Sequence, residues 1–147
     1  MAIVKIIPAE YRHCKMIIGN LRERDRHIFD TYENPEFIIQ QELLKSNSCF
    51  SGFINGEIVC MWGIHVSTLL NDEAYIWMLT TKAIEDNIFT FIRQSKKLLN
   101  NILAECSLVR GYVVADNTRS IRWLKWLGFK FNSIDDPNIL EFSIRRY

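Results

Sequence analysis

The sequence predicts a mixed α/β (α+β) fold: one sheet, with hairpin strands in the N-terminal half and strand–helix–strand units in the C-terminal half. Three observations carry that expectation. Asn55-Gly56 separates two apolar runs, and Asn-Gly is the strongest two-residue hairpin signal because both positions accept a positive φ. From Asn87 to Ala104, Ile88, Phe91, Ile92, Ser95, Leu99 and Ile102 form one stripe, while Arg93, Gln94, Lys96, Lys97, Asn100 and Asn101 face away. This long amphipathic crossover lies between apolar runs at Glu73–Thr81 and Leu108–Ala115, so those two strands should be parallel. Finally, Asn117 to Phe129, NTRSIRWLKWLGF, places Ile121, Leu124 and Leu127 at i, i+3 and i+6, the core stripe of a short helix. Asp116 or Asn117 can cap it, and Gly128 can end it in the left-handed conformation that a side chain disfavours.

In chain order, Ala2 to Ile7 is a short strand stopped by Pro8, and Tyr11 to Leu21 a helix. The charge run Arg22 to His27 reads as a solvated helix end or loop, given its mixed signs. Asn34-Pro35 is a helix start, with Asn as cap and Pro at the first position. Phe37, Ile38, Gln41, Leu44 and Lys45 then trace a helix with one apolar face. Strands follow at Cys49–Ile54 and Glu57–Val66, the second apolar on both faces and therefore central. Ser67 to Asp72 is a loop. After the Asn117 helix come strands at Phe129–Ile134 and Ile139–Arg146, joined by the turn Asp135–Asn138.

A chain of 147 residues, 48% hydrophobic and 24% charged, fits one globular domain spanning 1–147. Eighteen basic and seventeen acidic side chains leave a formal charge of +1, which gives no global attraction to nucleic acid or membrane. Cys14, Cys49, Cys60 and Cys106 are scattered without a C-x-x-C pair, so they read as reduced, mostly buried thiols rather than a metal site. No signal peptide or long apolar span is present, which points to a cytoplasmic site of synthesis, and a virion destination would leave the same trace. Arg119, Arg122 and Lys125 lie beside Trp123 and Trp126. We expect these indoles on the sheet edge and the cations in solvent, with a protein-binding surface favoured over nucleic acid.

The order strand, Asn-x-x-Ser, helix, Gly-Phe (Asn117, Ser120, Gly128, Phe129) resembles the C-terminal part of the GNAT N-acetyltransferase superfamily. The stretch from Trp77 to Phe131 is more similar still to small acetyltransferase-like proteins of tailed phages, some of them virion-associated. The resemblance implies a single GNAT-like domain that binds acetyl-CoA where the fourth and fifth strands splay. Pantetheine amides would pair with the backbone of Met78, Leu79, Thr80 and Thr81, and the pyrophosphate would meet the loop Lys82–Asn87, including Lys82 and Asn87, with Asn117 and Ser120 on the next helix. In this loop the family's glycines are absent, and Glu85 and Asp86 bring two carboxylates to the phosphate position. The family's usual acid, a Tyr seven residues after the Asn, is replaced by Leu124.

Acetyl transfer needs a base for the acceptor amine and an acid for the leaving thiolate. Tyr112 is the candidate to stand in as acid, and Glu73 and His65 are the base candidates, although a tyrosine on a strand and a histidine among apolar neighbours are each more often core or rim residues. Two functions follow: acetyl-CoA-dependent N-acetyl transfer to a protein or small-molecule amine, or a non-catalytic role in protein–protein interaction, virion-associated or host-directed. No metal site is expected.

Overall fold

A computed structural model describes residues 2–26, 29–30, 32–66 and 72–146. The strands are β1 (Val4–Pro8), β2 (Ser48–Ile54), β3 (Glu57–Val66), β4 (Glu73–Thr80), β5 (Leu108–Val114), β6 (Lys130–Ser133) and β7 (Ile139–Arg145). They form one mixed seven-stranded sheet in the order β1-β2-β3-β4-β5-β7-β6. The helices are α1 (Tyr11–Asn20), α2 (Glu23–Arg26), α3 (Pro35–Lys45), α4 (Ile88–Glu105) and α5 (Thr118–Leu127), with a 3₁₀ turn at Lys82–Asn87. The mixed α/β class is as expected, and strand and helix ends move by a residue or two, as ends do. The expected loop Ser67–Asp72 lies outside the described residues except for Asp72.

The chain forms two compact units. The first comprises Met1–His65 and Met78–Phe91. Its β2–β3 hairpin turns at Asn55 (φ 51°) and Gly56 (φ 83°), the two positive φ values that the Asn-Gly pair promises. β3 is buried over six consecutive residues, Ile58 to Gly63, as its two apolar faces require. α1 buries His13, Cys14 and Ile17 on one stripe. Asn34 caps α3, its side-chain oxygen accepting from the Phe37 N–H at 3.1 Å. The expected apolar face of α3 is not its buried face: Phe37 and Leu44 are exposed and Ile39 alone is buried. α3 contacts α1 and buries Ile39 on its other side, which periodicity could not distinguish because both sides carry apolar residues.

The charge run keeps Glu23, Arg24 and Arg26 exposed, as expected, and departs from expectation at Asp25. Glu23 to Arg26 is a short helix, and Asp25 is buried, with its carboxylate 3.3 Å from Arg22 and accepting from the Thr80 hydroxyl at 3.5 Å. A buried carboxylate persists only with such partners. His27, the end of that run, lies outside the described residues.

The second unit comprises Val66–Trp77 and Ile92–Tyr147. β5 pairs in parallel with β4 (Glu73 with Leu108, Tyr75 with Arg110) and antiparallel with β7, whose other neighbour is β6. The parallel pairing is the one that the long crossover dictates. One sheet face buries Val109 and Phe142, and the Phe142 ring meets Phe129 edge-on at 5.0 Å. α5 buries Leu124 and Leu127 and ends at Gly128 (φ 106°), whose N–H returns to the Leu124 and Lys125 carbonyls. Trp123, expected on the sheet edge, turns instead to α4, where its indole N–H donates to the Ser95 hydroxyl at 3.1 Å.

Candidate functional site

The centre of the candidate site is the second half of β4 and the turn that follows. Registered pairs with β5 cover Glu73, Ala74 and Tyr75 only, whereas β4 runs on to Thr80. Past that point Met78 and Leu79 are half-buried. Thr80 is buried and directs its hydroxyl to Asp25. Thr81 is fully buried and spends its polar groups internally. Its N–H donates to the Val59 carbonyl at 2.9 Å, and its hydroxyl donates to the Ile58 carbonyl at 2.6 Å and accepts from the Ala83 N–H at 3.3 Å. Thr81 is therefore a cap and a strap onto β3, and Met78 and Leu79 are the members of the expected cofactor strand whose side chains carry no such duty.

The helical path opens one turn earlier than the sequence indicates, at Lys82 under the Thr81 cap rather than at Asn87. This turn is a tight 3₁₀ helix, and the Ile84 N–H is already bonded to the Thr81 carbonyl at 3.2 Å. Asn87 turns back and donates its side-chain amide to the Ala83 carbonyl at 2.8 Å. Lys82, Glu85 and Asp86 are exposed. An acyl-CoA thus fits this unit in part. The strand backbone at Met78 and Leu79 suits amides, and the acids stand in solvent. The N–H groups of Ala83 and Ile84, however, are spent within the turn, which leaves Lys82 as the charge that a pyrophosphate would meet.

Glu73 and Tyr112 are separated. Glu73 opens β4, its carboxylate 3.8 Å from the Arg110 guanidinium. Tyr112 is half-exposed, its ring 6.0 Å from that of Tyr75 and its Cα opposite Glu141 of β7. Glu73 is level with Leu108, so four residues of strand rise, about 13 Å, separate its level from that of Tyr112. These two residues are not one acid–base pair. His65, in the other unit, is an exposed rim residue whose Nδ1–H donates to the Lys45 carbonyl at 3.1 Å, leaving Nε2 as the basic nitrogen. Asn117 is buried and caps α5, its side-chain oxygen accepting from the Ser120 N–H at 3.3 Å. Leu124, at the family's acid position, is a core residue.

Among the described residues no cluster of His, Cys, Asp or Glu could hold a metal ion. The cysteines are free, and burial pushes the Cys49 and Cys60 thiols up to about 12, so neither supplies a thiolate near neutral pH. Asp25 escaped the sequence reading because a charge run of mixed sign looks solvated. The available signal was Arg22 and Asp25 at i, i+3 ahead of an apolar segment.

No protein-family model matches the chain, and no curated protein matches it. Solved structures do. A candidate acetyltransferase from Acinetobacter baylyi superposes with a TM-score of 0.75 at 10% identity, covering 99% of this chain and 94% of that one. A GNAT-family acetyltransferase from Bacillus anthracis gives 0.70 at 12% identity, covering 97% and 94%. RimL, a ribosomal-protein alpha-N-acetyltransferase in complex with coenzyme A, gives 0.70 at 10% identity, covering 97% and 93%. At these identities the likeness is one of fold, and the fold is the GNAT acetyltransferase fold. Among the described residues no helix is long and apolar enough to cross a membrane.

Proposed function

We propose that this chain is an acyl-CoA-dependent N-acyltransferase, with acetyl-CoA as donor and a protein or small-molecule amine as acceptor. The observation that carries this reading is the β4 strand itself, which keeps its extended path from Ile76 to Thr80 beyond its last registered pair with β5. Strand backbone such as that of Met78 and Leu79, past the registered β5 pairs, is a template for added amides, and the pantetheine arm is a chain of amides. RimL, which shares the fold, binds coenzyme A.

Bound acetyl-CoA would supply the thioester. The chain's own part is to hold and to move protons. Met78 and Leu79 would pair the pantetheine arm, and Lys82 would face the phosphates. Thr81 keeps the end of β4 fixed to β3. Glu73 and His65 remain the candidates to take the acceptor's proton, and Tyr112 the candidate to return one to the leaving thiolate. Glu73 and Tyr112 stand apart on their strands, and each candidate is tested singly, by Glu73→Gln, His65→Gln and Tyr112→Phe.

A second reading has its own support. Leu124 is core, and the Ala83 and Ile84 N–H groups are consumed, so both the family's acid and part of its phosphate grip are lacking. This favours a non-catalytic protein of the same fold that binds another protein, in keeping with the phage-type resemblance of Trp77–Phe131. Calorimetry with acetyl-CoA separates the two. Binding in the micromolar range, with a raised melting temperature, supports the transferase. An unchanged melting temperature at millimolar acetyl-CoA supports the protein-binding relative.

A further inference from the structure

The formal charge of +1 hides a strong segregation. α4 and α5 together carry six of the chain's eighteen basic side chains: Arg93, Lys96, Lys97, Arg119, Arg122 and Lys125. They carry only one of its seventeen acidic ones, Glu105 at the last position of α4, so the rest of the chain is net acidic. All six cations are exposed.

The tertiary structure joins these two helices into one surface. The Trp123 indole N–H is bonded to the Ser95 hydroxyl, and the Lys96 ammonium lies 5.6 Å from the centre of the Trp126 ring. On α5, Arg119, Arg122 and Trp126 fall at i, i+3 and i+7, away from the buried Leu124 and Leu127. On α4, Arg93, Lys96 and Asn100 have the same spacing, away from the buried Ser95 and Leu99. Two cationic rows therefore run side by side, with a half-exposed indole (56%) among them. On α5 alone, this vocabulary is too short to make a stripe. α4 supplies the second row.

We propose that the α4–α5 face binds single-stranded nucleic acid. Rows of cations on two adjacent helices suit a phosphate backbone, where each neutralised phosphate releases counterions. The Trp126 face, already engaged in a cation–π contact, can exchange Lys96 for a base and stack on it, which requires an unpaired base. A lipid surface fits less well, because the exposed large apolar side chains of these two helices are Phe89 and Trp126 rather than an apolar row. The inference does not depend on acyl transfer, since none of these residues belongs to the proposed cofactor strand.

The test is fluorescence anisotropy of a labelled 20-nucleotide single strand, titrated with the full chain at several salt concentrations. Binding should weaken steeply with salt, and Arg93→Glu with Arg122→Glu should lower affinity at least tenfold. Because that double variant removes two cations from the phosphate backbone, the slope of log K against log salt should shrink by roughly 1.4. Trp126→Ser, a separate exposed change, should weaken binding several-fold and remove the quenching of tryptophan emission by the strand. Circular dichroism melts establish that each variant is folded, and Trp126→Ser stands alone if the double variant is not. No binding at tens of micromolar protein in low salt would overturn the proposal, as would binding that both variants leave unchanged. Equal competition by polyglutamate or by phosphatidylglycerol vesicles would also overturn it, assigning the face to an acidic protein or a lipid surface.

Discussion

The His13 imidazole and the Ser51 hydroxyl meet at 2.8 Å with both side chains fully buried. Nδ1 also accepts from the Glu10 N–H at 3.0 Å, which makes it the acceptor nitrogen and places the proton on Nε2. Nε2 has no hydrogen-bond partner and lies 3.7 Å from a Glu10 carboxylate oxygen. This pair fastens α1 to β2, and it works with a neutral imidazole.

A pH dependence follows. Burial pushes the His13 pKa below its ordinary 6.5, with Arg12 acting in the same direction and Glu10 opposing. Between about 6.5 and the lower folded value, the unfolded chain holds more protons on this residue than the folded one. Stability should therefore fall as pH drops through that window and level off below it. Urea midpoints measured from pH 7.5 down to 5 should show a slope that His13→Asn reduces. An equal slope in the variant would show that the pH dependence arises elsewhere.

Gly111 on β5 is required by its neighbours rather than by its backbone angles. A Cβ there would run into the Phe142 ring and lie 2.8 Å from the Ile76 carbonyl oxygen. Gly111→Ala should cost about 1–3 kcal/mol, the range of overpacking. Adding Phe142→Leu should recover only part of that, because the carbonyl belongs to a strand and has little room to retreat. Chemical denaturation of the single and double variants measures both effects.

Gly128 is a backbone case. Its φ of 106° lies where a β-branched residue is strained, and a Cβ would stand 3.2 Å from the Ile144 side chain. Gly128→Val should destabilise by about 1 kcal/mol or more. A wild-type melting temperature in that variant would contradict the role of Gly128 as the helix stop.

The Lys82–Asn87 turn gives a binding prediction that rests on the transferase reading. Glu85→Gln with Asp86→Asn removes two exposed carboxylates beside the phosphate position, and should tighten acetyl-CoA binding by roughly 0.3–1 kcal/mol for each charge at low ionic strength. Lys82→Ala should weaken it, and added salt should shrink both changes. Calorimetry on the three proteins at two salt concentrations would reveal either pattern. Affinities that ignore all three side chains would remove this turn from the site.

Sequence and tertiary structure divided the work along physical lines. The sequence alone determined what depends on neighbours along the chain. Asn55-Gly56 specified its hairpin, Asn34 its cap, the pair Asp116-Asn117 a cap that the structure assigns to Asn117, and Gly128 its stop, because each acts within a few residues through φ or one side-chain bond. The parallel β4–β5 pairing was also legible, since a long amphipathic crossover leaves one handedness. Tertiary structure decided what depends on contacts between distant segments. Asp25 became a buried partner of Arg22 and Thr80, and Thr81 became a strap onto β3. α3 turned its Phe37 and Leu44 outward, and α4 set its cations beside those of α5. Burial of a charge, the buried side of a doubly apolar helix, and the summed field of two helices are set by packing, which local pattern does not contain.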